Sequence, residues 1–128
     1  MDLQAFFAEN LPPFAEESVV LSDRLPQPFR IRAISEEHCA LLRRQSLHDP
    51  KSGEIDSSDF LSKLAAACVI EPDLQNAALQ RSWGVLGTDA LLRKMLSAGE
   101  FARLLERVQI LCGFDTSIAQ QADFLKKD

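Results

Sequence analysis

Cysteine and histidine are scarce in this chain, with three cysteines and two histidines among 128 residues. Cys39, Cys68 and Cys112 are odd in number and widely spaced, which excludes the paired framework of a small disulfide-stapled protein. They are embedded in mostly apolar patterns and read as reduced core thiols. A structural metal site wants clustered ligands such as C-x-x-C with paired histidines, and the sequence offers no such cluster. His38 adjoins Cys39, but neighbouring helix residues point in different directions. His38 therefore reads as a surface or boundary residue and Cys39 as core.

Long apolar runs are missing too. None reaches the roughly 18 residues of a membrane span. The opening MDLQAFFAEN carries Asp2 and Glu9 and no lysine or arginine, unlike the basic start of a signal peptide. The expectation is a cytosolic protein with no membrane partner. Positive charge is the third shortage: 14 Lys and Arg against 19 Asp and Glu leave a net charge of −5. Nonspecific nucleic-acid binding needs a cationic surface to neutralise phosphates. The pairs Arg43-Arg44 and Lys126-Lys127 are too short to supply one, so no nucleic-acid partner is expected.

Catalytic signatures are absent as well: no G-x-S-x-G, no G-x-G-x-x-G, no P-loop and no H-E-x-x-H. Gly84 and Gly87 link two helical patterns and do not follow a strand, which reads as a turn and not as a phosphate cradle. Glu36-Glu37 suits a helix N-terminus. The stretch HDPKSGEIDSSDF, His48 to Phe60, superficially resembles a calcium loop: with Gly53 at position 6, Asp56 falls at 9 and Asp59 at 12. His48 at position 1 and Pro50 at position 3 then supply no oxygen, and starting at Asp49 puts Lys51 at 3 and Glu54 where glycine is required. The stretch reads as a connector, with Ser57 or Ser58 capping the helix that starts near Asp59. A calcium-binding regulator built on residues 48–59 ranks last among the readings. No catalytic residue, metal or cofactor is expected.

What the sequence does have is the composition of one globular domain, 46% hydrophobic and 26% charged, with a length that gives a real core. Asp2 caps a short amphipathic helix carrying Leu3, Phe6 and Phe7, which ends before Pro12-Pro13. Phe29, Ile31 and Ala33 alternate with Arg30 and Arg32, and with Val19 and Leu21 at the same spacing of two in the preceding segment they predict a β-hairpin. Ser35 opens a helix that buries Cys39, Leu41 and Leu42. From Ser58 a broad apolar face (Phe60, Leu61, Leu64, Ala65, Cys68, Val69) predicts a central helix. Asp73 caps another that stops at Trp83-Gly84, and Thr88 caps one with Leu91, Leu92, Met95 and Leu96. Phe101, Leu104, Leu105, Val108 and Leu111 then form one continuous helical face ending at Gly113. The fold class is α+β, a mostly α-helical small domain with an N-terminal β-hairpin packed on a helical bundle. Residues 1–113 make one domain of a helix, the hairpin and about five further helices, and residues 114–128 a weakly helical or disordered tail.

The order of motifs carries further information. SDR at Ser22–Arg24, PFRIRA at Pro28–Ala33 followed by SEEH, PDLQNAALQRSWGVLG at Pro72–Gly87, LLRKML at Leu91–Leu96 and GEFARLLERVQILCGF at Gly99–Phe114 together resemble the XkdN-like family of phage tail assembly chaperones. The resemblance implies a non-catalytic protein of the bacterial host cytoplasm that binds and solubilises the tape-measure protein until tail-tube subunits polymerise around it. It also implies absence from the mature particle, and a longer form made by frameshifting near the end of the short reading frame in related tail systems. The alternative is a structural tail or baseplate-associated component.

A chaperone for a long, apolar-striped helix needs an exposed apolar surface. The candidate contact residues are Phe6 and Phe7 of the first helix, Val19 and Leu21 on the outer edge of the hairpin, and Trp83, which reads either as a packing anchor or as an interface hot spot. An exposed strand edge would also allow self-association by strand pairing. The Phe101–Leu111 face is regular enough to pack internally.

Overall fold

The computed structural model describes residues 1–49 and 51–114; the tail expected from residue 115 onward lies outside them. Two strands, β1 (Glu16–Val19) and β2 (Phe29–Arg32), pair antiparallel with Glu16 opposite Arg32 and Val19 opposite Phe29. Five helices follow: α1 (Glu36–Gln45), α2 (Ser57–Cys68), α3 (Ala77–Ser82), α4 (Thr88–Met95) and α5 (Ala98–Leu111). Between α1 and α2 the strands β3 (Leu47–Asp49) and β4 (Glu54–Ile55) form a small antiparallel ribbon, and β5 (Val69–Glu71) leaves the end of α2 directly. The hairpin becomes a three-stranded sheet in the order β1-β2-β5, with the α+β class as expected.

β5 is a correction to the sequence reading, which kept Val69 in the central helix. Val69 and Ile70 are β-branched and stiff at χ1, which favours extended backbone, and Glu71 precedes a proline that pushes it out of the helical region. The chain therefore turns to strand at Val69 and pairs with β2, Ile31 opposite Val69.

The sheet divides its side chains by period two. Val19, Phe29, Ile31 and Val69 enter the core, while Arg30 and Arg32 face out and pair with Glu16 of β1 and, for Arg30, Glu71 of β5. α2 is the hub, packed on α1, α4, α5 and β5, and α5 lies against β1 and β2. Leu64 and Ala65 of α2, Leu91 and Leu92 of α4, and Leu104 and Val108 of α5 are fully buried. Each large aliphatic side chain so removed from water contributes about 1.5–3 kcal/mol.

Caps fix the helix starts, in several cases one to three residues from where the sequence placed them. Ser35 caps α1 as expected, its hydroxyl accepting from the His38 N–H at 3.1 Å. Asp56 caps α2 in place of Ser57 or Ser58, accepting from the Asp59 N–H at 3.1 Å. Asn76 caps α3 in place of Asp73, which instead accepts from Gln75 N–H in a tight turn. Gly87, not Thr88, precedes α4, with φ 108° and ψ 148° that suit glycine. Ser97 and Glu100 form a reciprocal capping box on α5. In α1 the buried face is Cys39 and Leu42, continued by Ser46 at the C-cap, so Leu41, one 100° step from Leu42, is exposed.

Candidate partner-binding surface

The N-terminal segment does not form the expected continuous helix. It folds into two 3-10 turns, Leu3–Phe6 and Ala8–Asn10, with Phe7 extended between them (φ −64°, ψ 147°). So short a helix cannot offset its nucleation cost without a face to pack, and no residue of either turn is buried. Local hydrogen bonds hold the shape. Asp2 caps as expected, accepting from Gln4 N–H at 3.0 Å, and the Asn10 amide donates back to the Gln4 carbonyl at 2.7 Å. Leu11 is extended (φ −88°, ψ 140°) ahead of Pro12-Pro13.

This arm presents a dense apolar surface. Phe6 is 61% and Phe7 49% exposed, and Leu3, Leu11 and Phe14 are likewise exposed by half or more. Single exposed apolar side chains are ordinary, but a run of large ones marks a contact site. Leu3, Leu11 and Phe14 were not singled out from sequence as contacts, although the same amphipathic spacing and the double proline flank them.

Val19 and Leu21 are corrected by the structure. They are 6% and 1% exposed and belong to the core, and the hairpin residue that faces out is Val20, 67% exposed. The alternation seen in the sequence was real, but the apolar pair takes the inner face and leaves the middle valine outside.

Trp83 sits at the C-terminal end of α3, 36% exposed, in a turn where Leu86 is 92% exposed. Gln80 builds this turn. Its side-chain amide donates to the Leu74 carbonyl at 2.8 Å and accepts from Gly87 N–H at 3.1 Å, while its backbone carbonyl receives Val85 N–H at 3.1 Å. Gly84 at φ 68° and Gly87 allow the reversal. Val85 thus packs against the core while Trp83 and Leu86 stay outside.

One face of α5 anchors β1 and the loop that follows it. Arg107 Nε donates to Glu17 of β1 at 2.8 Å, Arg103 to the Leu21 carbonyl, and Glu100 receives both Ser22 and Arg24. Positions 100, 103 and 107 lie at helical spacing on one side. Glu100 is 5% exposed, and hydrogen bonds from Arg24, then Ser22, then the Ser97 N–H, hold its carboxyl well below the usual carboxylate range. Arg24 is raised in turn by Glu100. On the solvent face of the sheet, the Arg32 hydrogen bond lowers Glu16.

The connector proposed and set aside as a calcium loop has other duties. Asp56 is the α2 cap, and Asp59 receives Lys63 at 2.6 Å, one turn on. Among the described residues no group of three or more His, Cys, Asp or Glu is placed to hold a metal ion, and no helix is long and apolar enough to cross a membrane.

In a comparison of folds, the chain is similar to the crystal structure of the protein yqbn, with a TM-score of 0.79 and 23% identity over 90% of this chain and 98% of that one. That likeness concerns the fold alone. No curated protein matches the sequence. The family model described as phage XkdN-like tail assembly chaperone protein matches residues 3–126. With that match spanning nearly its whole length, the chain belongs to the XkdN-like family of phage tail assembly chaperones.

Proposed function

We propose that the chain binds the tape-measure protein through its N-terminal aromatic arm, covering the apolar stripes of that long helical partner until tail-tube subunits polymerise around it. The observation that carries this reading is the contrast between a closed core and an arm that buries none of the residues in its two turns. A segment that keeps Phe6, Phe7 and Phe14 in water has its stabilising contacts still to make. The turn bearing Trp83 and Leu86 offers a second apolar contact, which an aromatic anchor would use.

The role is one of binding and calls on no reacting group. It places the chain in the bacterial host cytoplasm and releases it before the particle is complete. β1 is an edge of the three-stranded sheet, and strand pairing along it is the route by which two copies of the chain would associate.

Light scattering from a tape-measure segment diluted out of denaturant tests the reading. Scattering should fall as the chain is added, up to a fixed ratio of the two proteins. Unchanged scattering for every segment, with the chain found instead in purified particles, would favour a structural tail component.

A further inference from the structure

Three cysteines far apart in sequence meet in one region of the fold. Cys39 lies on α1, Cys68 is the last residue of α2, and Cys112 follows the last residue of α5. The sulfurs of Cys68 and Cys112 are 3.9 Å apart. Cys112 and Cys39 also line a cavity of about 220 Å³, together with Arg43 and Phe114.

The three thiols are not equivalent. Cys68 is fully buried against the core, whereas Cys112 is half-buried and faces the cavity. The hydrogen bond between the two sulfurs lowers the Cys112 thiol below its ordinary value and raises Cys68, while burial raises Cys39. Exchange needs a thiolate that an external disulfide can reach; Cys112 is the one of the two that lines the cavity, and Cys68 stands 3.9 Å behind it.

We propose that Cys112 and Cys68 form a thiol–disulfide exchange site that takes a low-molecular-weight disulfide through this cavity. The Cys112 thiolate attacks one sulfur of the external disulfide, forming a mixed disulfide and expelling one thiolate, which takes up the proton that Cys112 lost. Cys68 then gives up its proton and attacks the Cys112 sulfur. That step forms the Cys68–Cys112 bond and expels the second external thiolate, which is protonated in turn. Two protein thiols are oxidised and one external disulfide is reduced to two thiols. Closing the sulfurs from 3.9 Å to a bonding distance of about 2.05 Å requires a side-chain rotation at Cys112, which lies past the end of α5. The product ties the C-terminal ends of α2 and α5 together.

The test is incubation of the whole native protein with oxidised glutathione, then alkylation of the remaining thiols and peptide mapping. The wild type should lose two thiols with no retained glutathionyl group and yield a Cys68–Cys112 cross-linked peptide. Cys68→Ala should stop at a mixed disulfide on Cys112, and Cys112→Ser should react at least about tenfold more slowly than wild type. Cys39→Ser should behave as wild type. Glutathionylation of Cys39 in preference to Cys112, or a native protein that forms no Cys68–Cys112 bond, would overturn the proposal. The wild-type mapping decides the matter even if a variant fails to fold.

Discussion

Arg24 and Glu100, 76 residues apart, form a bidentate pair in which the guanidinium donates to both carboxylate oxygens, at 3.0 Å from Nε and 2.5 Å from Nη2. The same Nη2 reaches the Met95 carbonyl at 2.7 Å, so one arginine joins the loop after β1 to the end of α4 and the start of α5. Glu100 meanwhile accepts from the Ser97 N–H at 2.8 Å, making the helix cap and the tertiary clamp a single unit. Planar two-point contact of this kind fixes geometry as well as charge.

Acid should loosen this clamp, with a sign set by Glu100. Its folded pKa is depressed below 4.5, so its contribution is fully present above that value and is lost as pH falls below it toward the folded value. Urea midpoints measured from neutral pH downward should decline in the wild type through the carboxylate range. Glu100→Gln should start lower and decline less steeply. A variant with the wild-type slope would contradict the clamp.

The two neighbouring valines should separate surface from core. Val19→Asp places a carboxylate in the core and should cost more than about 3 kcal/mol or prevent folding. Val20→Asp should stay within about 0.5 kcal/mol of wild type, because its side chain is already in water. Denaturant melts of the two proteins check this.

Leu64 tests the hub. Leu64→Ala empties a fully buried position on α2 and should destabilise by about 2–5 kcal/mol. Thermal unfolding followed by circular dichroism reads the loss.

Gly87 tests the turn that carries Trp83 and Leu86. A Cβ there would stand 3.5 Å from Asp89 Oδ1, an ordinary contact, so the cost of Gly87→Ala comes from backbone conformation alone. At φ 108° and ψ 148° that cost should be about 1–3 kcal/mol. An unaltered melting curve would mean that the turn relaxes to another conformation.

The helices were legible wherever an apolar stripe repeated over two turns or more, as in α2, α4 and α5, because tertiary burial then agrees with local pattern. β5 was not, since three residues at the end of an apolar helix carry too little periodicity to show a change of state. The N-terminal phenylalanines were legible as an amphipathic group. Whether they would pack could not be read, because spacing does not reveal that the core is complete without them. Val19 and Leu21 show the same limit: alternation gives two faces and does not say which is inside. SDR and Gly99-Glu100 stood out in the sequence as separate motifs, and their shared cause, one carboxylate holding Ser22 and Arg24, needed the tertiary structure. The Ser97-x-x-Glu100 spacing is a capping signature legible in the sequence alone.

The most direct test of the account is co-expression of tape-measure segments with the wild-type chain and with a Phe6→Asp, Phe7→Asp double variant, scoring soluble partner. The double variant should melt as wild type does, since neither side chain is buried. The account predicts that the wild type brings at least one otherwise insoluble segment into solution and that the double variant loses most of that rescue. Full rescue by the folded double variant, or no rescue of any segment by the wild type, would contradict it.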